Sequence, residues 1–396
     1  MRPASGGSAR VFARVVALAA ALGGCEDCRA RGDELARHDG RTAPSTASSV
    51  SPAPSTSPGP SASTSSSPAQ RRAAALPPGF LKGQLHAHSS GSDDSQTSPV
   101  DVHRWYEARG YDFLVFTDHN HVTDTTDGHM LTLPGVELTR NLRACQPPPP
   151  VGVPCALHTN ALFVSTSDAG TIDPGDAANV DRLAVYRGEL AKAKSLHGIA
   201  MLNHPNMFSG ADASIVTALA REGLTLLEVA NQAWDAKNEG DDERRSTEAI
   251  WDDVLAAGGK VFGTATDDAH HYDDADAMRA RGERPFPGDL GFVVVRAAKN
   301  ARAIRSAIEH GDFYASTGVL FVTYRRTATS LDLAVADDEP MEFEAVAHGG
   351  RVTDHAHGTR FAVKLGPDDG PYVRVRVKRK DGAVAFSQPL FRSSKP

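Results

Sequence analysis

Histidines and acidic residues stand near the ends of a series of short apolar runs, and their types are those that bind transition metals. The nine residues that share this position are His86, His88, Asp93, His119, Glu137, His158, His204, Asp268 and His270. His86 and His88 are two residues apart, so a strand would place both imidazoles on one face. Asp268 and His270 repeat this spacing. Neutral imidazoles with a few carboxylates suit zinc, manganese or iron.

Alternating strand-like and helix-like segments would position these residues. Strand-like runs are at 80–88, 111–117, 130–138, 158–164, 198–203, 224–229, 260–266 and 291–295, and helix-compatible segments are at 99–109, 178–196, 213–221, 247–257 and 301–310. This alternation predicts an α/β domain with a mostly parallel sheet, and seven or eight such units over about 240 residues are of barrel size. Because a barrel gathers the carboxyl ends of its strands at one mouth, we expect six histidines and three carboxylates to converge there.

Five short motifs occur in order between residues 80 and 320. They are Leu85-His86-Ala-His88-Ser-Ser-Gly-Ser-Asp93, Thr117-Asp118-His119-Asn120, Gly135-Val-Glu137, Asn203-His204-Pro205 and Asp268-Ala-His270. Together they resemble the polymerase-and-histidinol-phosphatase (PHP) superfamily. The resemblance implies a distorted, TIM-like (β/α)7 barrel that binds two or three divalent ions, Zn, Mn or Fe.

The resemblance also implies three metal positions. The first would be held by His86, His88, Glu137 and Asp268. The second would be held by the bridging Glu137 together with His158 and His204. The third would be held by Asp93, His119 and His270. The sequence departs from the superfamily at Asp94, where many members have glycine after the aspartate.

A cluster of divalent ions predicts hydrolytic chemistry. Such ions lower the pKa of a bound water toward neutrality, and the hydroxide attacks phosphorus or a carbonyl carbon. Glu137 and Asp268 are the predicted catalytic carboxylates, and Asp267 or His271 is a candidate to protonate the leaving group. A phosphoester is the superfamily expectation for the substrate.

Two alternatives stay open. A carboxylic or carbamic ester is the first, because the C-terminal motifs at 372–377 and 387–390 resemble a branch with secreted or lipid-anchored members, some of which act on carbamate esters. A surface binding protein that keeps the metals without turnover is the second. Either hydrolase would act on a small molecule.

Four residues beyond the Glu137 strand have candidate roles of other kinds. Arg140 and Arg143 would hold a phosphate group bidentately, or else are solvated loop arginines. Cys145 and Cys155 bracket nine residues, which is poor zinc spacing. A disulfide between them is favoured in an oxidising compartment.

The N-terminal segment is predicted to consist of a targeting signal followed by a disordered stalk. Basic residues precede an apolar stretch at 15–22, which is typical of a secretory signal. The following Leu22-Gly-Gly-Cys25 resembles a bacterial lipobox, which implies cleavage before Cys25 and a lipid anchor on its sulfur. Residues 43–68 are almost wholly Ser, Thr, Pro, Ala and Gly. A segment of this composition buries too little apolar surface to offset the entropy that is lost when a chain becomes ordered. We therefore expect an extracytoplasmic, membrane-anchored lipoprotein.

Four regions follow from these patterns: a signal peptide at 1–24, a disordered stalk at 25–75, the metallohydrolase barrel at 76–317 and a small antiparallel β domain at 318–396. The last region shows period-two alternation at 331–335, 361–365 and 372–378. The net charge of −7 gives no general attraction to nucleic acid, and no nucleic-acid module is evident. A chain without an apolar run of eighteen residues is not a multi-span membrane protein.

Overall fold

The computed structural model describes residues 76–123, 128–148, 154–165, 170–176 and 178–392. They belong to one compact unit that begins at Arg71. The predicted signal peptide, the stalk and Cys25 lie outside the described residues.

Six α-helices occur in the described ranges. They are α1 (Pro99–Glu107), α2 (Arg182–Ser195), α3 (Ala213–Arg221), α4 (Thr247–Ala256), α5 (Ala275–Ala280) and α6 (Ala301–His310). The helices predicted at 213–221 and 301–310 have those bounds, and α1 ends two residues earlier than predicted. Local chemistry fixes these ends, since the Ser98 side chain accepts the Asp101 N–H at the start of α1. Gly311 ends α6 with φ of 72°, a conformation that glycine adopts without strain.

Eleven strands precede residue 320 in the described ranges. They are β1 (Phe80–Gln84), β2 (Phe113–Phe116), β3 (His121–Val122), β4 (Leu131–Leu142), β5 (Cys155–Leu162), β6 (Gly170–Thr171), β7 (Ile199–Leu202), β8 (Leu226–Asn231), β9 (Phe262–Thr266), β10 (Phe292–Arg296) and β11 (Phe313–Ser316). Eight more follow: β12 (Phe321–Arg326), β13 (Ser330–Val335), β14 (Met341–Ala347), β15 (Arg351–Gly358), β16 (Arg360–Lys364), β17 (Tyr372–Lys378), β18 (Val384–Ser387) and β19 (Leu390–Phe391).

One large mixed sheet carries most of these strands, and the mixed α/β class is confirmed. Its central order is β11-β10-β1-β2-β4-β5-β7-β8-β9. The pairs β1–β2, β2–β4, β7–β8 and β8–β9 are parallel, whereas β5 is antiparallel to both of its neighbours and β10 is antiparallel to β1. The Cys145–Cys155 disulfide keeps the start of β5 beside the end of β4, so the chain reverses there instead of crossing over.

The sheet is strongly curved, but the (β/α)7 barrel is not confirmed. Residues of β1, β2, β4, β5 and β7–β11 share one apolar cluster. Within the described residues, no hydrogen-bonded ladder joins β9 to β10 or β11. A side chain spans part of that opening instead: the Gln388 amide donates to the carbonyl of Gly263 at 2.7 Å and accepts its N–H at 2.9 Å.

The region after residue 317 consists of antiparallel strands, as its alternation predicts. Strands β12, β13 and β16 form a three-stranded sheet, and β14, β15, β17, β18 and β19 extend the large sheet through the β11–β18 pair. The buried Arg374 of β17 binds Asp252 and Glu248 of α4, at 2.7 and 2.6 Å, and so joins this region to the helical layer.

Candidate metal centre

Six histidines and three carboxylates converge at one end of the curved sheet. His86 and His88 follow β1, His119 follows β2, His204 follows β7, and Asp268 and His270 follow β9. Glu137 and His158 come from the paired strands β4 and β5. Parallel strands bring their carboxyl ends to one edge, so residues far apart in sequence meet there.

Glu137 lies at the centre of this cluster. Its Oε1 is 3.2 Å from His86 Nε2, 3.2 Å from His158 Nδ1 and 3.4 Å from His204 Nε2. Its Oε2 is 2.6 Å from His119 Nδ1. Glu137 belongs to two groups of possible ligands, one with His86 and His88 and one with His158 and His204, which is the arrangement expected of a bridging ligand.

Asp268 is the second buried carboxylate. Its Oδ1 is 3.2 Å from Nε2 of both His86 and His88. Its backbone has φ of 53°, a left-handed conformation that costs free energy in a non-glycine residue. The Asp268 N–H donates to the carbonyl of His86 at 3.0 Å, and this bond holds the aspartate beside the two histidines.

The third carboxylate is Asp94, not Asp93 as the resemblance implied. Asp94 Oδ2 lies 3.2 Å from His119 Nε2 and 3.4 Å from His270 Nε2, whereas Asp93 is exposed outside the cluster. Bonds on either side of this pair fix the loop. The Ser92 hydroxyl accepts the His119 N–H, and the Ser95 hydroxyl donates to the carbonyl of His270, both at 2.9 Å.

The ligand atoms fit divalent ions. His86 Nε2, His88 Nε2 and His158 Nδ1 are buried and make no hydrogen bond in the described part of the chain. A buried polar atom without a partner is costly. Two atoms about 2.1 Å from one ion stand about 3.4 Å apart at the tetrahedral angle, close to the separations around Glu137. In three groups the possible ligand atoms all lie within 4.8 Å of one another: His86, His88 and Glu137; Glu137, His158 and His204; and His88, Asp94, His119 and His270.

Electrostatics keep the carboxylates charged and at least one imidazole neutral. Burial opposes ionisation of Glu137, but His158, His86 and His119 outweigh it and hold its pKa well below the usual range. Burial also opposes ionisation of Asp268, and there His86, His88, His270 and His204 overcome it and lower the pKa. Burial, then His270 and His119, lower the pKa of His88 to about 4. Ionised carboxylate and neutral imidazole are the ligand forms that bind metals.

Outer side chains orient the ligands; Asn203 stands in one of the five motifs without an assigned role, and Glu228 was not singled out from the sequence. Glu228 Oε1 accepts from His86 Nδ1 at 2.7 Å, and its Oε2 accepts the backbone N–H of His204 at 2.7 Å. Asn203 donates to Glu137 Oε1 at 2.7 Å. The one available signal for Glu228 was a charged residue inside the apolar run Leu226-Leu-Glu-Val229.

The two arginines do not form a free phosphate clamp. Arg140 is only 8% exposed, and its guanidinium donates to the carbonyls of Gly175 and Asp176 at 2.9 and 2.7 Å. These bonds fix the loop that follows β6. Arg143 lies exposed in the loop after β4.

The two candidate acids are also engaged elsewhere. The buried Asp267 carboxylate accepts the backbone N–H groups of Asp289, Leu290 and Gly291 at 2.7–2.8 Å, so it ties the start of β10 to the end of β9. His271 Nδ1 accepts the backbone N–H of Phe286 at 3.1 Å. Both residues therefore have structural roles.

Two further placements complete the site. Cys145 and Cys155 are joined as a disulfide beside the β4–β5 pair. Asp235, which the sequence did not single out, lies within electrostatic range of the cluster: burial and then the charge of Asp268 raise its pKa, and Oδ1 is buried without a hydrogen bond to any described residue.

Neither a comparison with protein-family models nor a search of curated proteins finds a match to this chain. Among the described residues, no helix is both long enough and apolar enough to cross a membrane.

Proposed function

We propose that the chain is a PHP-type metal-dependent hydrolase of ester bonds, with a phosphoester as the leading substrate class. The placement of Glu137 carries the proposal, because one buried carboxylate belongs to two separate groups of possible ligands, one with His86 and His88 and one with His158 and His204. A bridging carboxylate of this kind sets the separation of two ions, and paired ions are a recurrent hydrolytic device.

When bound, divalent ions supply a water of lowered pKa and positive charge for the substrate oxygens. The chain's own residues prepare the site for them. Glu137 and Asp268 hold negative charge in a buried cluster, and Glu228 directs Nε2 of His86 toward that cluster. Most of the ligands are buried, with Asp94 exposed at 54%, and burial strengthens the charge interactions among the buried ones.

The substrate bond stays open between two chemistries, because the same attacking water serves phosphorus and carbonyl carbon. Asp235 is a further carboxyl group available to the site, since it interacts electrostatically with Asp268, His204 and His270 and its Oδ1 is buried without a hydrogen bond to any described residue. A metal-binding surface protein without turnover is the alternative of another class.

The curvature of the sheet supports a further part of the proposal, a distorted barrel. The shared apolar cluster and the Gln388–Gly263 bonds bring β9 toward β10 and β11. Strands β1, β2, β7 and β9 then present their carboxyl ends to one mouth, where the ligands lie.

The decisive experiment combines metal analysis with a hydrolysis screen on the purified protein. Elemental analysis after loading with zinc, manganese or iron should find two or three ions per chain. Turnover should then appear with 4-nitrophenyl phosphate, bis(4-nitrophenyl) phosphate or 4-nitrophenyl acetate, and the preferred ester assigns the bond. Glu137→Gln should lose at least one ion and nearly all turnover, whereas Glu222→Gln, at an exposed ion pair with Arg187, should change neither.

Two results would contradict the hydrolase. Full metal content and full turnover in Glu137→Gln would remove the bridging role. Stoichiometric metal without hydrolysis of any of the three esters would favour the binding protein.

The location of the protein is part of the same proposal. A lipid on Cys25 and a stalk to residue 75 would hold the hydrolase at a membrane surface outside the cytoplasm. Several acyl chains, each contributing about 0.8 kcal/mol per buried CH₂, anchor a protein firmly. Cys25→Ser should therefore move the protein out of the lipidated membrane fraction without changing its metal content, and an unchanged lipidated fraction would reject the anchor.

A further inference from the structure

An exposed tryptophan stands beside the metal centre. The side chain of Trp234, in the segment after β8, is 46% exposed, although tryptophan gains more than most residues from burial. One part of its surface is used: the indole stacks on the ring of Phe286, with centroids 5.6 Å apart and planes 28° apart. The guanidinium of Arg284 lies 5.1 Å from the indole centroid.

Phe286 links this stack to the ligands. Its ring centroid is 5.5 Å from that of His270, and its carbonyl accepts the backbone N–H groups of His270 and His271 at 3.0 Å. The aromatic pair is therefore joined by backbone hydrogen bonds to the segment that carries a ligand.

A second, independent connection comes from the segment that contains Trp234. The next residue, Asp235, is within electrostatic range of Asp268, His204 and His270. The segment is held in place by Asn231, whose side-chain amide donates to Asp268 Oδ2 at 3.2 Å and to Glu228 Oε2 at 2.9 Å. Trp234 thus stands at the rim of the cluster, on a loop that the site itself fixes.

We infer that Trp234, Phe286 and Arg284 form a substrate subsite that holds a flat aromatic group of the ester. This inference rests on the proposed function and names the substrate class of that site. An aromatic ring gains from stacking on the open part of the indole, a gain that an alkyl group of similar size lacks. A negative charge on the aromatic group would be met by Arg284.

The size and setting of the surface favour a small molecule as occupant. Two rings and one guanidinium offer room for a single ring system, far less than the area of a stable protein interface. Both rings adjoin segments that hold metal ligands, so a ring bound there lies near the bond to be broken. The subsite therefore selects aryl esters over alkyl esters.

Binding of two phosphonates, which are not hydrolysed, tests the subsite without relying on turnover. Titration calorimetry on the zinc-loaded protein should give phenylphosphonate about three- to tenfold higher affinity than methylphosphonate, the range expected for one aromatic contact. Trp234→Ala should remove that difference and leave the affinity for methylphosphonate unchanged, while Trp234→Phe should retain much of it. Val352→Ala, at an exposed residue of β15, is the matched control and should change neither affinity.

The outcomes separate this inference from the proposed function. Equal affinities for the two phosphonates in the unmodified protein, or an unchanged preference in Trp234→Ala, would overturn the subsite even if esters are hydrolysed. A preference that depends on Trp234 in a protein that hydrolyses no ester would support the subsite and reject the hydrolase. Where turnover is present, Trp234→Ala should lower kcat/KM for phenyl phosphate but not for methyl phosphate.

Discussion

Glu228 accepts a hydrogen bond from His86 on the side of the imidazole that faces away from the other ligands. The distance from Oε1 to Nδ1 is 2.7 Å, and both side chains are fully buried. Because an ionised carboxylate can only accept, Nδ1 carries a hydrogen, and Nε2 is the ring nitrogen that faces the cluster. A carboxylate that orients a ligating histidine in this way is a common outer partner of metal sites.

The first prediction follows from this bond. Glu228→Gln removes the charge that orients His86 and should weaken metal affinity about 10- to 100-fold, the usual effect of losing such a partner. Competition with a chromophoric chelator measures it. Glu309→Gln, at an exposed ion pair with Arg305 on α6, is the control and should leave affinity unchanged. Equal affinity in Glu228→Gln and the unmodified protein would contradict the assigned role.

The second prediction separates two neighbouring aspartates. Asp94→Asn should cost the protein one ion per chain at limiting metal, because Asp94 contacts both His119 and His270. Asp93→Asn is an ideal control, since Asp93 is exposed outside the cluster. Metal content by elemental analysis decides between them. Loss of the ion in Asp93→Asn with retention in Asp94→Asn would restore the motif-based assignment.

The third prediction concerns the disulfide of the β4–β5 connection. Cys145→Ser should raise the number of titratable thiols in the denatured, unreduced protein by one, because Cys155 loses its partner. If the two thiols were free, the same substitution would lower that number by one. The variant should also be less stable by about 2–3 kcal/mol, the value of a short closed loop in the chain-entropy model.

The fourth prediction is a pH dependence. Glu189 of α2 is fully buried, and only Oε2 is bonded, to the Thr159 hydroxyl at 2.7 Å. Burial raises the pKa of Glu189 well above the usual range, and the charge of Glu137 adds to this effect. The hydrogen bond from Thr159 opposes it but is outweighed. A raised carboxyl pKa gives stability that is present below the unfolded pKa, near 4.3, and is lost as the pH rises through the folded value.

Glu189→Gln keeps the hydrogen bond without the charge. It should therefore be more stable than the unmodified protein at pH 8, by about 1–3 kcal/mol, and the gain should shrink toward pH 4. Thermal unfolding at saturating metal checks this, with Glu222→Gln as the exposed control. A Glu189→Gln protein that is less stable at pH 8 would show that the ionised group is favoured in the fold.

The sequence predicted much of the site because strand ends are visible as sequence patterns. An i, i+2 pair such as His86 and His88 at the end of an apolar run has a definite geometry that follows from its spacing alone. Helix ends were predictable for a similar reason, since Gly311 follows a run of helix-compatible residues. These features depend on a few adjacent residues.

Features that depend on distant residues were not predictable in this way. The motif assigns Asp93 as the ligand, and only the bonds of Ser92 and Ser95 to the segments of His119 and His270 show that Asp94 enters the cluster instead. Glu228 could not be separated from an ordinary strand residue until β8 was placed beside β9. The direction of β5 likewise depends on the reversal of the chain after β4.

The amide of Gln388 gives the segment after β18 a role in positioning the strand that leads into the site. The amide bonds to Gly263 of β9, the strand that leads directly into Asp268. Gln388 and Gly263 are 125 positions apart in the sequence. Contacts of such sequence separation form late, because a long loop must close first. During vectorial synthesis, the strand before Asp268 gains these bonds only after the 125 further positions up to Gln388 have been added. The order of synthesis therefore delays the final positioning of this strand, and we expect nascent chains that end before residue 388 to bind metal less well than longer ones.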